Sequence, residues 1–316
     1  MLDNKNVLVA GGGGFIGSNL VRRLLREDCK VYATYHNKIS YYIEDVEFIN
    51  TDLTSEESCL NATKGIDYVF MCAANSSGAK IMAEKPLVHV TPNVIMNSRM
   101  LEASHKNNVK KFVFLSSTTV YPVKDVPLKE DDLDLSGIFD KYFCVAWMKV
   151  FSEIMCEMYA TKIRNPMTTI IARVGNTYGP RDDFEWETSH VIPALIRRVV
   201  ERHDPIVVWG DGKDLKDLIY IGDLVDGLVL AMDKIDSFEK INLATGQSHT
   251  IKEVLDYIID ATGYHSARIE FDPSKPTMIP KRMIDISKAQ RLLGFKPSVS
   301  MKEGLKRTVE WYVSNR

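Results

Sequence analysis

The sequence predicts an α/β protein, a doubly wound parallel sheet joined to a smaller α/β unit. Three observations predict it. Apolar runs of strand length alternate with helical patterns through most of the 316 residues. The first run breaks into four glycines and then a helix pattern, from Val7 to Gly17 (VLVAGGGGFIG) into SNLVRRLLRE. Two later apolar runs end in small or hydroxyl residues, CAA and SSTT, which suits the carboxyl ends of parallel strands, where ligands sit.

The opening stretch reads as strand, tight turn and helix. Gly11 lets the chain turn sharply, Gly14 lets backbone approach a pyrophosphate, and Gly17 lets the helix pack on the strand. Phosphates then lie at the helix N-terminus, where free N–H groups and the helix dipole favour anions. A strand–turn–helix setting at the start of the chain makes this a dinucleotide-binding signal, where a lone glycine-rich turn would not be.

Bulk properties exclude several classes. Net charge is -2, and Lys, Arg, Asp and Glu are interspersed, so neither a nucleic-acid surface nor a polybasic membrane tail is expected. Mean hydropathy is -0.13 and no long apolar run suggests a membrane span. The first strand starts within a few residues of Met1, leaving no room for a signal peptide. Five scattered cysteines, Cys29, Cys59, Cys72, Cys144 and Cys156, lack CxxC pairing. They suit reduced cytoplasmic thiols with no metal.

In chain order, KVYATYH is a second strand, starting near Lys30. An acidic residue near its end would hold a ribose 2′-hydroxyl, and basic residues there suit a 2′-phosphate. Tyr35 is followed by His36, Asn37 and Lys38, which favours NADP over NAD. VEFINTDLT is a third strand followed by Asp52 and Leu53, with Asp52 placed to accept from an adenine amino group. DYVFMCAANSSG is a fourth, whose Ala73 and Ala74 let backbone lie against a cofactor. A helix from about Pro92 to Asn107 follows. KKFVFLSSTTVYP is a fifth strand, leaving Ser116, Ser117, Thr118 and Thr119 at its end. A helix over about Tyr142 to Thr161 carries Lys149. TTIIARVGNTYGPRDDF is a sixth strand running into a loop with Asn176 and Tyr178. Beyond it come a helix in SHVIPALIRRVVER, two short strands around a Gly turn in IVVWGDGKDLKDLIYIGDL, a helix in GDLVDGLVLAMDK and a strand in INLATG. The end is mixed and closes on the helix MKEGLKRTVEWY. The order implies interleaved domains: residues 1–172 with 218–245 for the dinucleotide, and 173–217 with 246–316 for a substrate.

Taken together, GGGGFIG, TDL, CAA, Asn93, LSSTTVYP, Lys149, NTYGPRDDF, SHVIPALIRR, VVWGDG, DLIYIGDL and RMIDISKAQRLLGFKPSVSMKEGL resemble the extended short-chain dehydrogenase/reductase family that acts on nucleotide sugars. NTYGPRDDF, SHVIPALIRR and VVWGDG are most similar to its branch of 3,5-epimerase/4-reductases working on GDP-4-keto-6-deoxyhexoses. The resemblance implies a Rossmann-type fold, NAD or NADP, a nucleotide-diphosphate sugar, hydride transfer at hexose C4 and a homodimer formed by the two long helices. It implies a cofactor lined by Gly11, Gly14, Phe15, Ile16, Gly17, Tyr35, His36, Lys38, Asp52, Leu53, Ala73, Ala74, Asn93, Lys149 and Val174. Ser117 would hydrogen-bond the sugar oxygen, and Lys149 would hold the nicotinamide ribose. Asn176, His190, Val191 and Lys216 would face the substrate, Trp209 its base and Arg282 its diphosphate. Family members carry Arg where this chain has Lys216, which turns a bidentate clamp into a point charge.

The family's acid/base is a Tyr four residues before the Lys. Here that position is Val145, which cannot move a proton, and losing a positioned acid/base removes about 10²–10⁴-fold in rate. Tyr142, Tyr121, Tyr178 and His190 are the candidate replacements. The residue matching the epimerase branch's cysteine is Thr119, a poor base toward carbon. Val145 also allows a second reading, a catalytically silent binder of nucleotide sugar and dinucleotide.

Overall fold

A computed structural model describes residues 2–76, 84–275 and 277–316. The expected small-residue stretch after the fourth strand extends to Ser77 and Gly78, which lie outside the described residues.

Seven parallel strands form the central sheet in the order β10-β6-β5-β4-β1-β2-β3. They are β1 (Lys5–Ala10), β2 (Cys29–Tyr35), β3 (Glu47–Asn50), β4 (Tyr68–Met71), β5 (Lys111–Ser117), β6 (Thr168–Val174) and β10 (Glu239–Leu243). Their near-continuous apolar character follows from burial on both faces. Val7, Val9, Phe70, Val113 and Ile170 pack on one side, against α1 (Phe15–Leu24) and α6 (Ile221–Lys234). Leu8, Val69, Met71, Phe112 and Ile171 pack on the other, against α2 (Glu56–Thr63), α3 (Thr91–Lys106) and α4 (Phe143–Thr161). Strand order reverses between β1 and β4, which is where such sheets open a ligand crevice at their carboxyl ends.

A three-stranded sheet, β11 (Ser248–Thr250), β9 (Leu215–Tyr220) and β7 (Asn176–Tyr178), and a pair, β12 (Ile269–Asp272) with β8 (Ile206–Trp209), lie beyond β6. They share a core with α5 (Val191–Val200), α7 (Ile251–Thr262) and α9 (Met301–Asn315). Helix α8 (Ser287–Leu293) packs on β10 and α6.

One expectation needs correcting. The loop expected to hold Asn176 and Tyr178 is the strand β7, paired in parallel with Leu218–Tyr220 of β9. Three residues are too short for a periodic signal, and the partner lies about forty positions away.

Candidate active site

The glycine turn closes the switch point. Gly11 has φ +82, and a Cβ on it would strike the backbone of Ala73 beyond β4. A Cβ on Gly17 would run into the Gly11 carbonyl, so helix and turn are in direct contact. Gly14 is the exposed N-cap of α1, with no acidic residue in the first turn and no side-chain cap. The amides of Phe15, Ile16 and Gly17 belong to that first turn, where N–H groups have no intrahelical partner. This is a cradle that a pyrophosphate fits.

Residues after β2 are joined to the same turn, because Ser40 N–H donates to the Gly13 carbonyl at 3.3 Å. Tyr35 is half-buried, and His36 and Lys38 are exposed. Asp52 is exposed, with Oδ1 accepting from the Thr54 N–H and hydroxyl at 2.9 and 2.7 Å, while Leu53 is buried. Asn93 acts as a latch on the end of β4. Its Oδ1 accepts from Asn75 N–H at 2.8 Å, and its Nδ2 donates to the carbonyls of Asn75 and His89 at 2.9 and 2.7 Å. That latch fixes the segment of Ala73 and Ala74 against the crevice.

Lys149 reaches from α4 to the end of β5, donating to the Leu115 carbonyl at 2.7 Å and lying 4.9 Å from the Phe114 ring centre. Desolvation lowers its pKa to about 8, against the opposing charges of Glu153, Cys72 and Cys156. Ser117 ends β5 beside Val174 of β6. The Ser117 hydroxyl oxygen accepts the Thr119 N–H at 3.2 Å. Thr119 Oγ1 is buried without a hydrogen-bond partner among the described residues.

Behind these residues lies a buried polar network that the sequence reading missed. Arg173 donates to both carboxylate oxygens of Glu153, at 3.0 and 2.6 Å. Ser116 donates to the same carboxylate at 2.5 Å. Glu153 is one turn beyond Lys149. A Lys-x-x-x-Glu pattern followed by an Arg inside an apolar strand is the available sequence signal, since buried charges occur paired.

The phenols weighed as stand-ins for the missing tyrosine are engaged elsewhere. Tyr121 donates to Asn242 Oδ1 at 2.6 Å and accepts from Arg173 at 3.1 Å, with its pKa raised to about 12 by burial. Tyr142 packs with Ala146 and Ile279, and burial raises it to about 12. Tyr178 is fully buried against Tyr220, and burial pushes its pKa far up.

His190 is the N-cap of α5 without making a side-chain cap. The residue is solvent-exposed, yet its pKa is lowered by desolvation first and then by His89, against Asp183. Val191, next to it, is 42% exposed. Lys216 and Arg282 are buried together. Lys216 pairs with Asp214 at 3.3 Å and contacts the Ile279 carbonyl. Burial lowers its pKa, with Arg282 adding to the effect. Arg282 donates to the carbonyls of Pro122 and Tyr121 at 2.9 and 3.1 Å, and desolvation lowers it to about 10. Two neighbouring cations served by one carboxylate leave positive charge for an anion. Asn176 is exposed on β7, and Trp209 ends β8 at 38% exposure.

All five cysteines are free, and no group of His, Cys, Asp and Glu able to hold a metal occurs among the described residues. Among them, too, no helix is long and apolar enough to cross a membrane.

A glycine cradle at the switch point of a doubly wound sheet, with Ser and Lys at the neighbouring strand end, defines a dinucleotide-binding protein of the extended short-chain dehydrogenase/reductase type. The chain belongs to the NAD-dependent epimerase/dehydratase family, whose model matches residues 7–244. It is 33% identical to the probable GDP-L-fucose synthase 1 of Oryza sativa subsp. japonica, over 98% of this chain and 92% of that one. The Thermotoga maritima UDP-glucose 4-epimerase with UDP-glucose superposes with a TM-score of 0.86 at 30% identity, covering 98% of this chain and 99% of that one. The Bacillus cereus UDP-glucuronic acid 4-epimerase, in complex with UDP-glucuronic acid and NAD, gives a TM-score of 0.87 at 26% identity, over 98% and 100%.

Proposed function

We propose that this protein is an NADP(H)- or NAD(H)-dependent enzyme of nucleotide-sugar metabolism, acting at hexose C4 by reduction or by oxidation–reduction epimerisation. The observation that carries the reading is Lys149, an ammonium held on the Leu115 carbonyl near the end of β5, the strand that closes on Ser117. A solvated surface lysine has no reason to lose its water there.

The dinucleotide, when bound, supplies or accepts the hydride. The chain's own residues do the rest. The first turn of α1 grips the pyrophosphate. His36 and Lys38 favour the 2′-phosphorylated coenzyme, and Asn93 holds the β4 end in place. Lys149 fixes the ribose, and Ser117 donates to or accepts from the sugar oxygen. Lys216 and Arg282 neutralise the sugar's diphosphate, Asn176, His190 and Val191 wall the sugar, and Trp209 meets the base. GDP is favoured by the similarity to the GDP-L-fucose synthases. The parts that hold the two ligands correspond to residues 1–172 with 218–245 and 173–217 with 246–316.

We place the protein in the cytoplasm as a homodimer. Phe143, Trp147, Phe151, Ile154 and Met158 are exposed on α4 at spacings of three and four residues, one apolar stripe. Ile95 of α3 is exposed as well. A second copy covering these helices about a two-fold axis removes that stripe and Ile95 from water.

The test is calorimetric titration with NADPH, NADH, GDP-sugars and UDP-sugars, followed by absorbance at 340 nm with 4-keto sugar nucleotides. Binding of NADPH and a GDP-sugar with turnover is expected. Absence of both bindings overturns the reading. Binding without turnover selects the silent binder that Val145 suggests.

A further inference from the structure

We propose that Asn19 and Arg181 couple the two ligand sites, so that a dinucleotide on the first turn of α1 tightens the hold of the substrate wall on the sugar nucleotide, and the reverse. The proposal rests on the ligand sites assigned above and adds two positioning residues to which that reading gives no part.

Asn19 lies one turn into α1, half-buried, with its side-chain amide fully used. Nδ2 donates to the Phe15 carbonyl at 2.9 Å and to the Pro180 carbonyl at 3.1 Å. Oδ1 accepts from Arg181 Nη1 at 3.3 Å. Carbonyls only accept and a guanidinium only donates, which fixes the orientation of the amide. One residue of the cofactor helix therefore grips Arg181 twice, by the carbonyl of the peptide that precedes it and by its own side chain.

What Asn19 grips is strained. Arg181 has φ +70, the left-handed region that residues other than Gly, Asn and Asp rarely enter. Such backbone persists only where its surroundings hold it. The holders are Asn19 and Tyr41, whose ring centre lies 5.7 Å from the guanidinium. No carboxylate pairs with Arg181 among the described residues, and desolvation followed by the charge of Arg22 weighs against its ionised form.

Both holders answer to the dinucleotide. The Phe15 carbonyl and the Ile16 N–H are the two ends of one trans peptide, pointing opposite ways along α1. An anion on the Ile16 amide polarises that peptide and makes its carbonyl a stronger acceptor for Asn19. Tyr41 follows Ser40, whose N–H donates to the Gly13 carbonyl of the glycine turn at 3.3 Å. Pyrophosphate in the cradle thus steadies both supports of Arg181.

From Arg181 the chain runs to His190 through turns closed on themselves. The Gly179 carbonyl accepts the Asp182 N–H at 3.3 Å, and the Glu185 carbonyl accepts those of Thr188 and Ser189 at 3.3 and 2.9 Å. Between them Asp183 accepts from the Glu185 N–H at 2.9 Å and from the Thr188 hydroxyl. A stretch so braced passes a shift at residue 181 on to His190 instead of absorbing it. Two arrangements follow. Arg181 is left-handed with His190 and Val191 in place against the sugar, or it relaxes and that wall is displaced. Each ligand favours the first, which is the differential affinity that coupling requires.

The experiment is calorimetric titration of GDP-mannose, and of UDP-glucose in parallel, with and without saturating NADPH, on wild type, Asn19→Asp and Asn19→Leu. In the wild type NADPH is expected to tighten the sugar nucleotide about fivefold or more, and saturating sugar nucleotide to tighten NADPH by the same factor. Both variants should bind each ligand alone within about threefold of wild type while the coupling falls below about twofold. Asn19→Asp keeps the size and the contact to Arg181 but loses both donations, so it decides if Asn19→Leu folds poorly. Wild-type ligands that bind independently overturn the proposal and leave the enzyme reading standing. Coupling that survives in a folded variant overturns it too, since contact between the ligands themselves then accounts for the effect. So does a variant that loses its affinity for one ligand alone, because Asn19 then belongs to that ligand's site. A wild type that binds neither kind of nucleotide overturns the functional reading and this coupling together.

Discussion

Arg173 and Glu153 form a fully buried ion pair, Nη2 to Oε2 at 2.6 Å with side-chain exposures of 0% and 3%. It joins β6 to α4 one turn from Lys149, and Ser116 hydrogen-bonds the same carboxylate. The pair therefore sets the position of the helix that delivers the lysine. Removing one partner leaves the other charged, buried and unpaired, at a cost of about 3–5 kcal/mol. Arg173→Met and Glu153→Gln are each expected to lose that much in urea unfolding. The carboxylate also raises the Lys149 pKa against desolvation. Glu153→Gln, if folded, should pull the lysine's titration below about 8, seen by NMR of its side chain.

The glycine cradle makes a second expectation. Gly17→Ala places a Cβ against the Gly11 carbonyl, which forces α1 away from the turn. Overpacking of this kind costs about 1–3 kcal/mol, and the displaced amides no longer match a pyrophosphate. Melting temperature should fall, and calorimetry should show dinucleotide affinity reduced more than tenfold. Gly14→Ala is the control. A Cβ there would meet only the Gly11 oxygen at 3.5 Å, an ordinary contact, so stability should hold while the approach of phosphate suffers.

Much of this arrangement was legible in the sequence, and the remainder was hidden for identifiable reasons. Strand β1, the turn and α1 are local, with glycines where backbone crowds backbone, so both element and role could be read. The doubly wound parallel sheet follows from strands alternating with helices, whereas its order, β10-β6-β5-β4-β1-β2-β3, is set by pairing between distant strands. Tyr121 illustrates the opposite case. Its place near the strand end made it a candidate proton carrier, but its engagement with Asn242, 121 positions away, is a tertiary fact. Strand β7 and the Asn75–Asn93–His89 latch are hidden for the same reason, each needing a partner that no spacing rule names.

Arg282 offers a test of the anion site. It is held by the carbonyls of Tyr121 and Pro122 and has no carboxylate partner among the described residues. Replacement by Met removes charge-assisted hydrogen bonds worth about 1.5–3 kcal/mol each. A sugar nucleotide should bind about 10- to 100-fold more weakly, while NADPH affinity stays unchanged. Arg282→Lys keeps the charge but not the fork, so it should recover only part of the loss. Equal weakening for both ligands would place Arg282 outside the diphosphate site.

Asp182 carries the pH prediction. It is 4% exposed, its Oδ1 accepts the Asp183 N–H at 2.8 Å, and its Oδ2 is buried without a partner among the described residues. Desolvation, helped by the nearby Asp183 charge, raises its pKa from 3.8 to about 8, against the Asp183 backbone hydrogen bond. The folded state then binds the proton more tightly than the unfolded chain. Between pH 3.8 and about 8 the folded state holds more protons, so stability falls as pH rises through that window. Below it the carboxyl is neutral in both states and nothing is lost. Asp182→Asn keeps the acceptor for Asp183 and removes the titration. The variant should match the wild type near pH 4 and exceed it by up to about 5 kcal/mol at pH 8, as read from urea unfolding at both values. A constant difference across that range would show that the side chain ionises freely in the folded protein.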